Sequence, residues 1–301
     1  MGKAERNRRQ NAREKIAAQQ AAARRAQSRQ RAFIAGGSVI VVLAIVVVLI
    51  VIKTAHSTAS ANSSSANGAV QPASVVSEVT GVPAATLDAV GTGATYAHAV
   101  QTIKSPPALL KQNGKPVVVY VGAEYCPYCA AERWALTGAL SRFGTFKGLH
   151  FIHSSSSDAD PSTPTLTFYK STYTSPYVDF EPTEAQTVSK ATLQKLTPLD
   201  NTAMAKYDVP PYVPSKTYDD SFPFVDFGDQ YVIDGASYDP ATLKGLTWAQ
   251  VAAQLKDPTS TVAKNVDGAT NLITAAICKL TGGKPGSVCT SAGVTKATGG
   301  L

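Results

Sequence analysis

The sequence predicts an α/β protein whose folded part stands behind one membrane-spanning helix. Three observations carry this reading. Pro116–Val121 is a nearly unbroken β-branched strand that runs straight into Cys126-Pro127-Tyr128-Cys129 at the start of a helix. Phe222–Asp234 has the pattern of a β-hairpin entered through a proline. Phe33–Ile52, FIAGGSVIVVLAIVVVLIVI, is a run of twenty residues without a charge. The near-continuous β-branched run suits a strand buried on both faces, as in a central parallel sheet, and Phe222–Asp234 carries a hairpin signature of its own.

The first 31 residues hold ten Lys and Arg against Glu5 and Glu14. The remaining chain holds 18 basic and 19 acidic side chains, so the formal charge of +7 sits in a tail and the body is neutral. That distribution argues against a nucleic-acid-binding body. Twenty helical residues span roughly 30 Å, the thickness of a bilayer core. Arg31 and Lys53 bracket the run, and the positive-inside rule places residues 1–32 in the cytoplasm and everything after Lys53 outside it, as a single-pass plasma-membrane protein. A cleaved signal peptide is the rival, with Ala59-Ser60-Ala61 as its cleavage site. The apolar run exceeds the roughly 7–15 residues of a signal core, which favours an uncleaved anchor.

Residues 53–70 are Ser-, Ala- and Asn-rich and read as a flexible linker. Residues 71–112 form an N-terminal extension with a helix near Ala84–Val90. The main domain runs from 113 to 258. Asn113-Gly114 introduces its first strand, and the helix after it opens with Pro127 in the first turn, where a missing N–H costs nothing. Cys129, Leu136, Leu140 and Phe143 share one face of that helix, and Gly144 ends it. Leu149–His153 is a second strand, with His150 and His153 as ordinary strand residues. Thr165–Phe180 reads as two strands around Ser175-Pro176, Glu184–Leu196 as a helix, and the stretch to Ser221 as a Pro- and Tyr-rich loop. Residues from about 155 to 220 thus form an insert. Its tyrosines (Tyr169, Tyr173, Tyr177, Tyr207, Tyr212, Tyr218) read as ordinary strand and loop residues in preference to a peptide groove. Past the hairpin, Asp239-Pro240 caps a helical turn and Thr247-Trp-Ala-Gln250 is a capping box opening a helix to Lys256. In 259–301, Val262 through Leu280 fall in register for one amphipathic helix, followed by Gly282-Gly283 and Cys289.

Four cysteines in 301 residues are too few for a disulfide-dense scaffold, so each pair needs its own explanation. A cysteine at a helix N-terminus has its thiol acidified by unpaired N–H groups and the helix dipole, and the thiolate is the nucleophile of disulfide exchange. Cys126 occupies that place, and Cys129, one turn deeper, is placed to resolve a mixed disulfide. Half a zinc site is the alternative for a lone CxxC. It lacks a second CxxC or a close His pair, because His56, His98, His150 and His153 are scattered. Cys278 and Cys289, eleven apart and outside the cytoplasm, read as an oxidised structural staple, with a second redox pair as the alternative.

The segments Val-Val-Tyr-Val-Gly-Ala-Glu-Tyr-Cys-Pro-Tyr-Cys and Phe-Pro-Phe-Val-Asp-Phe-Gly-Asp-Gln-Tyr-Val-Ile-Asp-Gly resemble the active-site strand and the cis-proline hairpin of thioredoxins. That likeness covers about 113–154 and 222–256. The whole arrangement, from about Val75 to Cys289, is similar to the thioredoxin-like family catalogued as domain of unknown function 929. The resemblance implies a thioredoxin-like fold with an insertion and a C-terminal helical extension. It also implies a cis bond before Pro223, with Pro223, Phe222, Tyr125, Pro127 and Tyr128 bordering the substrate. The buried carboxylate of thioredoxins would fall at Tyr120, so that proton acceptor is absent, and Glu124 and Glu132 read as solvated. The Pro-Tyr dipeptide resembles glutaredoxins, and Phe222 is bulkier than usual before the proline.

The expected function is thiol–disulfide exchange on extracytoplasmic proteins. It needs no cofactor, but it does need a redox partner, itself in the membrane or not, to reset the pair. The alternatives are delivery of haem or of a soft metal such as Cu(I), and a non-catalytic envelope binding or scaffold protein.

Overall fold

A computed structural model of the chain describes residues 73–301. The basic tail, the apolar run 33–52 and the linker 53–70 lie outside the described residues. Among the described residues no helix is long and apolar enough to cross a membrane.

The architecture is mixed α/β. Two short helices, α1 (Ala73–Thr80) and α2 (Ala84–Val90), lead into β1 (Gln101–Thr102), β2 (Lys111–Gln112) and the main strand β3 (Lys115–Gly122). Then come α3 (Pro127–Ser141), β4 (Thr145–Lys147), β5 (His150–His153), β6 (Pro164–Thr167), β7 (Thr172–Thr174) and β8 (Asp179–Glu184). The second half holds α4 (Pro198–Tyr207), β9 (Phe224–Phe227), β10 (Tyr231–Asp234), α5 (Trp248–Gln254), α6 (Thr261–Leu280), α7 (Gly286–Cys289) and α8 (Ala292–Thr298).

The main sheet is mixed. Its strand order is β1-β10-β9-β3-β2, with β8 also pairing β3. The β8 pairing is parallel, from Val117 opposite Asp179 to Gly122 opposite Glu184, while β9 runs antiparallel with Val121 opposite Phe224. Every residue of Val117–Val121 is fully buried. Val117, Val119 and Val121 pack toward Ala203, Met204 and Tyr207 of α4, and Val118 and Tyr120 pack toward α3 and α6. The period of two therefore feeds two cores, one on each face, as the β-branched run predicts. Trp134, Leu136 and Leu140 of α3 and Ile273 and Ile277 of α6 fill the larger core. Each such side chain, fully buried, contributes about 1.5–3 kcal/mol.

The predicted helix at Ala84–Val90, the hairpin, the capped turn at Asp239-Pro240 and the capping box at Thr247/Gln250 are all present. The amphipathic pattern from Val262 to Leu280 is one twenty-residue helix capped by Ser260. Cys278 and Cys289 are joined as a disulfide.

Residues 155–220 depart from expectation. Glu184–Leu196 is not a helix: Glu184 ends β8, and the helix begins at Pro198. Thr197 caps it in a reciprocal box, its N–H donating to Asp200 Oδ2 at 2.7 Å and its Oγ1 accepting from Asp200 N–H at 3.1 Å. Backbone satisfaction at Thr197-Pro198-Leu199-Asp200 outweighs the helical spacing upstream. The segment also supplies β8, the parallel neighbour of β3, whereas β5 pairs antiparallel with β6 in a separate two-stranded sheet. The tyrosines do not share one groove. Tyr173 donates to Leu140 O at 2.8 Å within an aromatic group with Phe146 and Phe180, while Tyr207 and Tyr212 pair with each other.

Candidate functional site

The site lies at the C-terminal end of β3, where the strand turns through Ala123-Glu124-Tyr125 into α3. Cys126 is the N-cap residue, with extended backbone, and Pro127 follows in the first turn. The Cys126 sulfur accepts the N–H of Cys129 at 3.2 Å, as an oxygen would in an ordinary N-cap. Its thiol also faces the carbonyl of Phe222 at 3.5 Å. The bond between Phe222 and Pro223 is cis, as the resemblance implies. Phe222 and Tyr125 pack against the small cluster of Ala123, Cys126 and Cys129, and Pro223 is buried at the head of β9.

Both thiols are free. Cys126 is 5% exposed and Cys129 is fully buried, so only the first is in reach of a substrate. Their acidities diverge accordingly. The hydrogen bond from the Cys129 thiol pulls the Cys126 thiol below its ordinary value against the cost of burial, and the Cys129 and Tyr128 N–H groups and the Arg133 charge act the same way. Burial pushes Cys129 well up, the interaction with Cys126 adds to it, and Arg133 pulls against both. The first sulfur is thus the more acidic and the more accessible, and its neighbour is protonated and shielded.

Of the other expected contact residues, Pro127 is buried in the first turn of α3. Tyr125 is half-buried, with Lys190 Nζ 4.6 Å from its ring centre. Tyr128 points outward at 42% exposure. Beside Tyr125 opens a cleft of about 480 Å³ lined by Glu124, Ser155, Ser156, Thr187, Val188 and Ser189. Among the described residues no group of three or more His, Cys, Asp and Glu side chains stands ready to hold a metal ion.

The reading of Glu132 as solvated is corrected. Glu132 is fully buried, and its carboxylate accepts the Ser237 N–H at 2.8 Å and hydroxyl at 3.1 Å. Burial pushes its pKa to about 7. Glu124 is half-buried, accepts the Thr167 hydroxyl at 2.9 Å, and is raised by burial. Beneath the cysteines lies a group that sequence reasoning missed. Arg133 and Glu184, both fully buried, form a bidentate pair at 2.8 and 2.6 Å, and Arg133 Nη2 also donates to Ala123 O at 2.8 Å. The legible signal was a charged pair, Glu132-Arg133, inside the otherwise apolar AAERWAL. Nothing local marked Glu184, which arrives through the parallel register of β8.

The ring of Tyr120 folds over Gly122. A Cβ at Gly122 would run into the Tyr120 hydroxyl and lie 2.5 Å from its Cζ. The ring is fully buried and has nowhere to go. Gly122→Ala is therefore expected to destabilise the fold by about 1–3 kcal/mol through overpacking. A denaturation midpoint equal to wild type would contradict this.

A family model described as Domain of unknown function (DUF929) matches residues 101–279, more than half of the chain. The chain belongs to that family. No curated protein and no solved structure matches it.

Proposed function

We propose, with membership of that family as the premise, that this chain is a membrane-anchored thiol–disulfide oxidoreductase acting on extracytoplasmic proteins. The observation that carries the reading is the Cys126 sulfur capping α3, hydrogen-bonded by the Cys129 N–H and opposed by the carbonyl of Phe222 at the cis-proline. A dithiol at a helix start beside a proline-led hairpin in a mixed sheet also favours a thioredoxin-like fold. The role of each group follows. Cys126 thiolate attacks a substrate disulfide, forming a mixed disulfide and releasing one substrate thiolate. Cys129 then gives up its proton and attacks Cys126 Sγ, releasing the second substrate thiolate and leaving 126–129 oxidised. Run backward, the same steps oxidise two substrate thiols. Pro223 lacks an N–H and offers a backbone edge to a substrate peptide, with Phe222, Tyr125, Pro127 and Tyr128 around it. A redox partner resets the pair. The 278–289 disulfide, remote in sequence from the dithiol, acts as a staple.

The anchor is the charge-free run 33–52, with the basic tail in the cytoplasm. A protease-protection assay on intact cells, with tags at both ends, is expected to cut the C-terminal tag and spare the N-terminal one.

The exchange reading is tested by equilibrating the full chain in glutathione redox buffers and counting alkylated thiols by mass spectrometry, with 278–289 scored separately. A reversible couple at 126–129 is expected. A potential well above about −200 mV would assign an oxidase or isomerase, and one near about −270 mV a reductant. A pair that stays locked, or thiols unreactive at neutral pH, would overturn the proposal.

A further inference from the structure

We infer that Arg133, oriented by Glu184, is a positioning residue that holds the negative charge appearing on the buried sulfur of Cys129 when the 126–129 bond opens. The inference rests on the exchange reading and deepens it.

The step that demands such a charge is explicit. With glutathione as the thiol, its thiolate attacks Cys126 Sγ. A new sulfur–sulfur bond forms there, the 126–129 bond breaks, and the electron pair stays on Cys129 Sγ. A second glutathione thiolate then attacks the glutathione sulfur of the mixed disulfide and releases Cys126 as thiolate. Two glutathiones are oxidised and the protein disulfide is reduced. The leaving group of the first step is fully buried, so no water solvates it. An anion in such a place needs a paired charge or fixed donors.

Arg133 lies four residues after Cys129 on α3, hence on the same helix face. Its guanidinium is fixed on three sides, twice by Glu184 and once by the Ala123 carbonyl at the entry to the cysteine turn. The remaining nitrogen, Nη1, is buried with no hydrogen-bond partner among the described residues, and so is the hydroxyl of Tyr120. Buried donors left without acceptors in a native protein ask for an explanation. Here the missing acceptor is a sulfur that is neutral as a thiol and charged only during turnover. The Arg133 charge favours the thiolate at both Cys126 and Cys129, though it is not the largest influence on either. Stability alone is a weaker explanation, because a buried ion pair is often replaceable by apolar residues at no net loss.

The test is the rate at which glutathione opens the 126–129 disulfide in three full-length proteins, read by quenched alkylation and mass spectrometry. In Arg133→Met/Glu184→Met the charge is gone and the volume roughly kept, and the rate constant of the first attack is expected to fall at least tenfold. In Glu184→Gln the guanidinium loses its counter-charge, and the rate is expected to rise. A staple would move the melting temperature and leave this rate alone. Folded variants that open at the wild-type rate would overturn the inference while leaving the exchange reading standing. A wild-type pair that glutathione never opens would overturn both. If the double variant does not fold, Glu184→Gln decides alone: an unchanged rate sinks the inference.

Discussion

Cys126→Ser is expected to drop thiol–disulfide exchange to the uncatalysed background, and Cys129→Ser is expected to trap substrate. The two sulfurs are not equivalent. Cys126 keeps a sliver of exposure and is drawn toward its thiolate, chiefly by the bond from Cys129. A serine hydroxyl at the same cap would still accept the Cys129 N–H, so the helix start survives while the nucleophile is lost. Cys129 is fully buried and held protonated by burial. Without it the first attack still runs, and the mixed disulfide on Cys126 has no resolving neighbour. Incubation of Cys129→Ser with a disulfide-bonded protein should therefore accumulate a covalent adduct that a reductant removes, and Cys126→Ser should accumulate none. Adduct on both variants, or exchange surviving in Cys126→Ser, would refute the assignment. Cys278→Ser/Cys289→Ser serves as the control. Opening that eleven-residue separation should cost about 3 kcal/mol of stability and leave the adduct chemistry unchanged.

Stability is expected to fall as the pH rises from about 5 to about 8, by several kcal/mol in all. Glu132, Asp208, Asp226 and Asp267 are buried to 1% exposure or less. Burial raises Glu132 and Asp226 to about 7, and Asp208 and Asp267 to about 8. Neighbouring carboxylates add to it at Asp208 and Asp226. In the unfolded chain such groups titrate near 4. Between the two values the folded state keeps a proton that the unfolded state releases. Each group then removes about 1.4 kcal/mol per pH unit. The stabilisation is complete below the unfolded value and is lost as the pH passes through the folded one. His153, pushed down by partial burial, acts in the opposite sense but is a single group. Urea denaturation at stepped pH measures the slope, and a stability that is flat or rises over this range would contradict the prediction. Asp267→Asn should shallow the slope by about one proton, since burial is the sole cause of its shift.

Local chemistry made much of the fold legible. The β3 run, the proline-led helix start, the hairpin around Gly228-Asp229 and the capping box at Thr247 are each written within about ten residues, and each is where its pattern places it. The segment from Glu184 to Leu196 shows the limit. Its spacing suits a helix, yet Glu184 belongs to a strand because β8 pairs in parallel with β3 across more than sixty positions of chain. No local pattern encodes a partner that distant.

The candidate site divides along the same line. Cys126 and Cys129 follow from the sequence, because helix-start acidity is a property of neighbouring residues, and Pro223 follows from the resemblance of its hairpin. What lies beneath them was decided by the tertiary structure. Sequence distance hid that Glu184 meets Arg133 and that Glu132 turns inward to Ser237. The physical reason is that a charge becomes an internal group only when the rest of the fold removes water from around it and supplies its counter-charge. That happens where α3, β3 and β8 close together, and no single stretch of the chain contains all three.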